Sequence, residues 1–225
     1  MWGALGAIIF AGLAWKLFRD YQQASARKAL VMDLLFAKAF SVVEGAAFDE
    51  EESQEFPRLV GHYKGFPVQV RPIIDTLPTR RLPVLWLLVT IQSPLPLKAR
   101  FDMMMRPSGP TTFSNFDHLP QTLEHPKEFP EQAVIRTDDA DEVVPADVIR
   151  PYISAFFGPR AKELLVTQNG LRMVWLLAEA DRTRYGIFRQ AEFGDVQIDA
   201  KDLQGILDTL LDIRLAVMEW TETQT

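Results

Sequence analysis

No cysteine occurs anywhere in the 225 residues, and there are only three histidines, His62, His118 and His125. The first absence removes disulfides, thiolate metal sites, iron–sulfur clusters and a cysteine nucleophile at one stroke, and it accords with a reducing compartment. The second leaves three imidazoles for any zinc or haem site. Positive charge is also in short supply. Lys and Arg number 24 against 30 Asp and Glu, a net charge of −6. That is the wrong balance for a phosphate-backbone partner, which calls for clustered Lys and Arg, so no nucleic-acid binding is expected. Missing too are a P-loop, a dinucleotide fingerprint, a kinase signature and a G-x-S-x-G elbow. No cofactor and no metal are expected, and the chain reads as a non-enzyme.

One further absence is local. From Met1 to Trp15 no side chain is charged. A secretory signal places basic residues before its apolar run and small residues at a cleavage site after it. Here Lys16, Arg19, Arg27 and Lys28 follow the run, and Ala24-Ser25-Ala26 lies well beyond it. As a helix, residues 1–18 would rise about 27 Å, close to the roughly 30 Å of a bilayer core. Trp2 and Trp15 fall where aromatic rings favour the two interfaces, and Lys16 can snorkel to the headgroups. Ile8 and Phe10 lie in the apolar middle, and Gly3 and Gly6 offer a small-residue surface for helix contact. Residues 1–18 are therefore expected to form an uncleaved transmembrane anchor. By the positive-inside rule the N-terminus lies outside and the main domain in the cytoplasm.

Hydrophobic residues make up 48% of the chain, enough for a substantial core. Residues 19–44 hold no proline or glycine, and Leu30, Leu34, Ala37 and Ser41 fall on one helical line beside Val31, Leu35 and Val42. An amphipathic juxtamembrane helix is expected there, with Gly45 as its C-cap. Residues 48–56, FDEEESQEF, read as an acidic linker. Two strands meeting at Lys64-Gly65 follow, with Pro67 and Pro72 suggesting an edge position. Residues 82–92 read as a central strand covered on both faces. Residues 98–106 alternate Ala99, Phe101, Met103 and Met105 against Lys98, Arg100, Asp102, Met104 and Arg106, the pattern of a half-buried strand.

Residues 107–130 hold five prolines and show no period. So long a connection is usually functional or mobile. Its phenylalanines, Phe113, Phe116 and Phe129, are taken as a partner-docking set that keeps the loop on a surface. Beyond it the sequence predicts a strand at 133–137, a helical stretch from Pro145 to Gly158, and a hairpin whose type I′ turn is Asn169-Gly170. A strand at 184–193 and a closing helix capped by Asp199 complete the order. Hairpins dominate and no βαβ rhythm appears. The expected class is α+β: an N-terminal transmembrane helix, then a mostly antiparallel sheet with flanking helices over residues 45–225. The element order is similar to that of small secretion-chaperone-like domains, an architectural likeness that implies no function.

Candidate chemistry is sparse. Ser114, Asp117 and His118 have the residue types of a hydrolytic triad, but neighbours in one loop rarely reach its geometry. Asp138, Asp139, Asp141 and Glu142 lack the spacing and turn glycine of a calcium loop. Three consecutive methionines, Met103 to Met105, alternate faces on a strand and cannot converge on one soft metal. Arg182, Arg184 and Arg189 with Tyr185 form the best small-ligand candidate, able to grip a carboxylate or a lipid headgroup. Two functions stay open. The first is a non-catalytic, membrane-anchored interaction protein, an accessory, assembly or scaffold subunit of a larger bacterial inner-membrane complex. Its partners would be integral membrane proteins and, through the anchor, the lipid bilayer. The second is a cytoplasm-facing lipid- or anion-binding domain, or an enzyme of unknown type, built on those arginines.

Overall fold

Nine strands join in one sheet in the computed structural model, which describes residues 15–16, 33–49, 56–76, 82–182 and 193–224. In chain order they are β1 (Glu44–Asp49), β2 (Arg58–Tyr63), β3 (Phe66–Asp75), β4 (Val84–Ile91), β5 (Phe101–Met105), β6 (Gln121–Thr122), β7 (Ala133–Thr137), β8 (Ala161–Thr167) and β9 (Gly170–Glu179). Across the sheet the order is β1-β2-β3-β4-β9-β8-β5-β7-β6, and all pairings among the described residues are antiparallel. With the closing helix, Ala200–Thr223, this is an α+β fold.

Residues opposite one another in an antiparallel pair share a face, so the register sorts the sheet into rows. On one face Val70, Val89, Met173, Leu164, Met103 and Ile135 stand in line across β3, β4, β9, β8, β5 and β7. None is more than 2% exposed. The closing helix lies over this face through Leu203, Ile206, Leu207, Leu210, Ile213 and Val217, all buried in the same core. Asp199 caps it, accepting from the Lys201 and Asp202 amides at 2.9 and 3.3 Å. Polar ties fix its position on the sheet. Arg160 reaches Asp202 at 2.6 Å and stacks over Trp175, and Arg214 donates to Ser93 Oγ at 2.9 Å. Asp208 receives the Tyr63 hydroxyl and the Lys64 ammonium from the tip of the β2–β3 hairpin.

The opposite face is covered differently. Residues of the 107–120 loop lie on it, with Phe113 and Phe116 buried against Trp86, Leu88, Met104 and Val174. The Phe113 and Trp86 rings meet edge to face, 5.6 Å between centroids. This second, smaller core explains why every residue of β5 is buried. The alternation at 98–106 is present, but the face expected to meet water, with Asp102 and Met104, lies beneath the loop.

Other expectations are corrected. Of the expected apolar side, Leu34, Ala37 and Ser41 are exposed, Leu35 enters the core with Phe36, Ala39 and Val43, Val42 packs against it, and Leu30 and Val31 lie outside the described residues. Helix gives way after residue 36 to a 3-10 turn, Ala39–Ser41, and the chain becomes strand at Glu44. Gly45 is thus inside β1 rather than a helix cap, and the start of the acidic run, Phe48-Asp49, pairs with β2. Pro67 and Pro72 sit in β3, which is interior. Each removes one N–H donor, yet the carbonyls remain useful: Pro67 O accepts the Gln92 amide at 2.9 Å.

The type I′ turn expected at Asn169-Gly170 is found at the other hairpin. Tyr63 pairs with Phe66 across Lys64 (φ +50°) and Gly65 (φ +82°), so that hairpin has the double positive φ of a type I′ turn. At the β8–β9 hairpin Thr167 pairs with Gly170, so the turn residues are Gln168 and Asn169. Gly170 (φ +139°) is the first residue of β9, and a Cβ there would stand 2.1 Å from the Ile91 carbonyl oxygen. Glycine is required by backbone approach, not by the turn. The strand expected at 184–193 lies outside the described residues but for Phe193, which is not in a strand.

Candidate functional site

Beside the second core, the loop-covered face turns polar. One row there runs Gln69, Thr90, Arg172, Leu165, Asp102, Arg136 across six strands, from β3 to β7. The next row toward the second core carries Glu163 opposite Val174 and Met104. Asp102, Glu163 and Arg172 thereby share one face on three adjacent strands. Arg172 bonds Glu163 Oε2 at 2.8 Å, and that carboxylate is fully buried. Removing one partner of so buried a pair would strand the other charge away from water.

Asp102 is 2% exposed. Burial pushes its carboxyl up to about 8, and the neighbouring Glu163 charge adds to the effect, while Arg172 and Arg100 pull the other way. Asp102 Oδ1 and Glu163 Oε1 are buried with no hydrogen-bond partner among the described residues. At neutral pH the protonated Asp102 is the favoured form, a group able to give a proton or keep one.

Asp102 lines a cavity of about 360 Å³ between the sheet and the loop, with Leu97, Arg100, Phe113, Asn115 and Arg172 among its walls. A second hollow of about 300 Å³ continues along the polar row past Gln69, Arg71, Thr90 and Gln92. The two share Leu165, Thr167, Asn169 and Arg172. The site therefore combines an enclosed carboxyl, a buried ion pair and a polar floor.

Of the residues singled out from sequence as site candidates, Phe113 lines the larger cavity. Arg182 is exposed and lines neither cavity. Arg184, Tyr185 and Arg189 lie outside the described residues, as do Trp2, Gly3, Gly6, Ile8 and Phe10. Trp15 and Lys16 are helical and exposed. Among the described residues no helix is long and apolar enough to cross a membrane. Phe113 and Phe116 are buried between their loop and the sheet, and Phe129 enters the helix-side core. Ser114 Oγ accepts the Phe116 amide at 3.1 Å, a local turn bond. The acidic turn is also engaged, with Asp138 on Arg100 and Glu142 on Lys98. Among the described residues no cluster of three or more His, Asp or Glu can hold a metal ion.

Asp102, Glu163 and Arg172 were not identified from sequence as a site. Their one trace is charge embedded in otherwise apolar strands, as in LRMVWLL around Arg172. Compared with protein families, with curated proteins and with solved structures, the chain finds no match.

Proposed function

We propose that the chain is a non-catalytic, membrane-anchored interaction protein, an accessory, assembly or scaffold subunit of a larger inner-membrane complex. The observation that carries this reading is the uncharged run from Met1 to Trp15 with its basic residues on the C-terminal side only. The short distance between that run and the folded domain supports it. Leu35 and Phe36 are already core residues, and the Leu35 carbonyl accepts the Ile198 amide at 2.8 Å. An anchor ending near Phe18 would hold the sheet close to the membrane surface, where a membrane complex could engage it.

The test is co-purification in mild detergent of the full chain beside a chain beginning at Lys28, with mass spectrometry of what accompanies each. The shorter chain keeps Leu35, Phe36 and Ala39 and so keeps the core. A defined stoichiometric set of membrane proteins with the full chain, absent from the shorter one, is expected. Both chains emerging alone from the solubilised membrane would overturn the proposal.

A further inference from the structure

The cations bordering the larger cavity are already paired. Lys98 Nζ lies 2.8 Å from Glu142, Arg100 Nε 3.2 Å from Asp138, and Arg172 2.8 Å from Glu163. Arg136, opposite Asp102 on β7, turns its guanidinium to the carbonyls of Phe116 and Asp117 and over the Phe116 ring. Among the described residues on the cavity wall, Asp102 is the acid left over, and its buried Oδ1 meets no donor. Among the described residues Arg172 is the guanidinium beside both Asp102 and Glu163, and it is bonded to Glu163; Arg100 is engaged by Asp138 and Arg136 by carbonyls, so no cation is committed to Asp102. A buried carboxyl without donors costs free energy, and an unmatched buried charge costs more.

We infer that this cavity is a binding site for a small ligand bearing a compact cation, a primary ammonium or a guanidinium, whose N–H groups meet the Asp102 carboxylate. The cation supplies both missing elements, donors for Asp102 and a positive charge bonded to it. The volume, about 360 Å³, lies at the small end of ligand pockets and suits a molecule of metabolite size. Leu97, Phe113 and Leu165 give the rest of such a molecule an apolar wall. Binding is tied to protons. The free site holds a proton on Asp102 at neutral pH, and the incoming cation displaces it. Among the described residues, Glu163, Arg172, Arg100 and Arg136 are the charged groups that face Asp102 from β8, β9, the approach to β5 and β7.

The experiment titrates the full chain in detergent micelles with n-butylammonium and methylguanidinium, against butyrate and n-butanol. Calorimetry in two buffers of different ionisation enthalpy counts the protons released. The cations are expected to bind at least tenfold tighter than the comparators. Release of about one proton at pH 7 should accompany binding, which tightens about tenfold per pH unit up to about 8. Asp102→Asn should lose at least tenfold in affinity, while Lys201→Ala, on the exposed side of the closing helix, should change nothing. Preference for butyrate would give the cavity to its arginines and overturn the inference. Equal binding of butanol, no binding of either cation, or no proton release would do the same. Proton release by the unaltered chain decides the matter even if Asp102→Asn misfolds.

Discussion

Replacing Asp102 by Asn should make the protein more stable, and by an amount that depends on pH. In the folded chain the Asp102 carboxyl keeps its proton to about 8, against an ordinary value of 3.8. Between those values the folded state binds a proton that the unfolded state has released, so rising pH favours unfolding. The contribution of the protonated carboxyl is whole below about pH 4 and is lost progressively as pH climbs through about 8. Across the whole interval the loss is on the order of 5 kcal/mol. Asparagine matches the protonated acid in shape and cannot ionise. The variant should therefore equal the parent within about 1 kcal/mol near pH 4 and exceed it by several kcal/mol at pH 8.5. For a chain of this size a kcal/mol moves the melting temperature by about 2–4 °C, so a gain of about 10–20 °C is expected at the higher pH. Thermal melts of both full chains in the same detergent, followed by tryptophan fluorescence from pH 4 to 8.5, measure it. If the variant melts with the parent's pH dependence, or below it at pH 8.5, Asp102 is not a buried acid that keeps its proton to about 8. Stability gained while cation affinity is lost would mark the carboxyl as held for binding rather than for folding.

Three other substitutions probe the frame around the site. Gly170→Ala drives a Cβ to within 2.1 Å of the Ile91 oxygen at a positive φ, and should cost about 3 kcal/mol or more in chemical denaturation. Phe116→Ala removes the 2% exposed ring under the loop; about 3–5 kcal/mol should be lost, with faster proteolysis between residues 107 and 120. Asp199→Ala deletes an N-cap that accepts two amides, and should lower stability by about 1 kcal/mol without altering cation binding.

Much of the fold was legible because its signals are local. The closing helix carries its own cap and apolar stripe, and β4 is apolar from Val84 to Val89, where both its faces are covered. Both hairpins are placed by glycine near their tips, although the detail misleads at Asn169-Gly170. There the glycine answers to Ile91 on a neighbouring strand, which no adjacent residue reports. The helical line through Leu34 and Ala37 misleads for a related reason. A period can be counted with more than one phase, and contact with the rest of the core keeps Leu35 of the expected side and adds Phe36 and Ala39.

Composition and period sufficed for the class, the strand-rich middle and the apolar opening, since each depends on residues close together in the chain. The site depends on residues far apart. Asp102, Glu163 and Arg172 come from three strands that are neighbours in the sheet, although β6 and β7 stand between β5 and β8 in the chain. Period two places Asp102 on the polar side of its strand, a side that would ordinarily face water. It is buried because the proline-rich loop folds back over that face and seats Phe113 and Phe116 beside Met104. Register and loop placement are long-range packing outcomes, and together they turn an ordinary strand aspartate into an enclosed acid at the edge of a cavity.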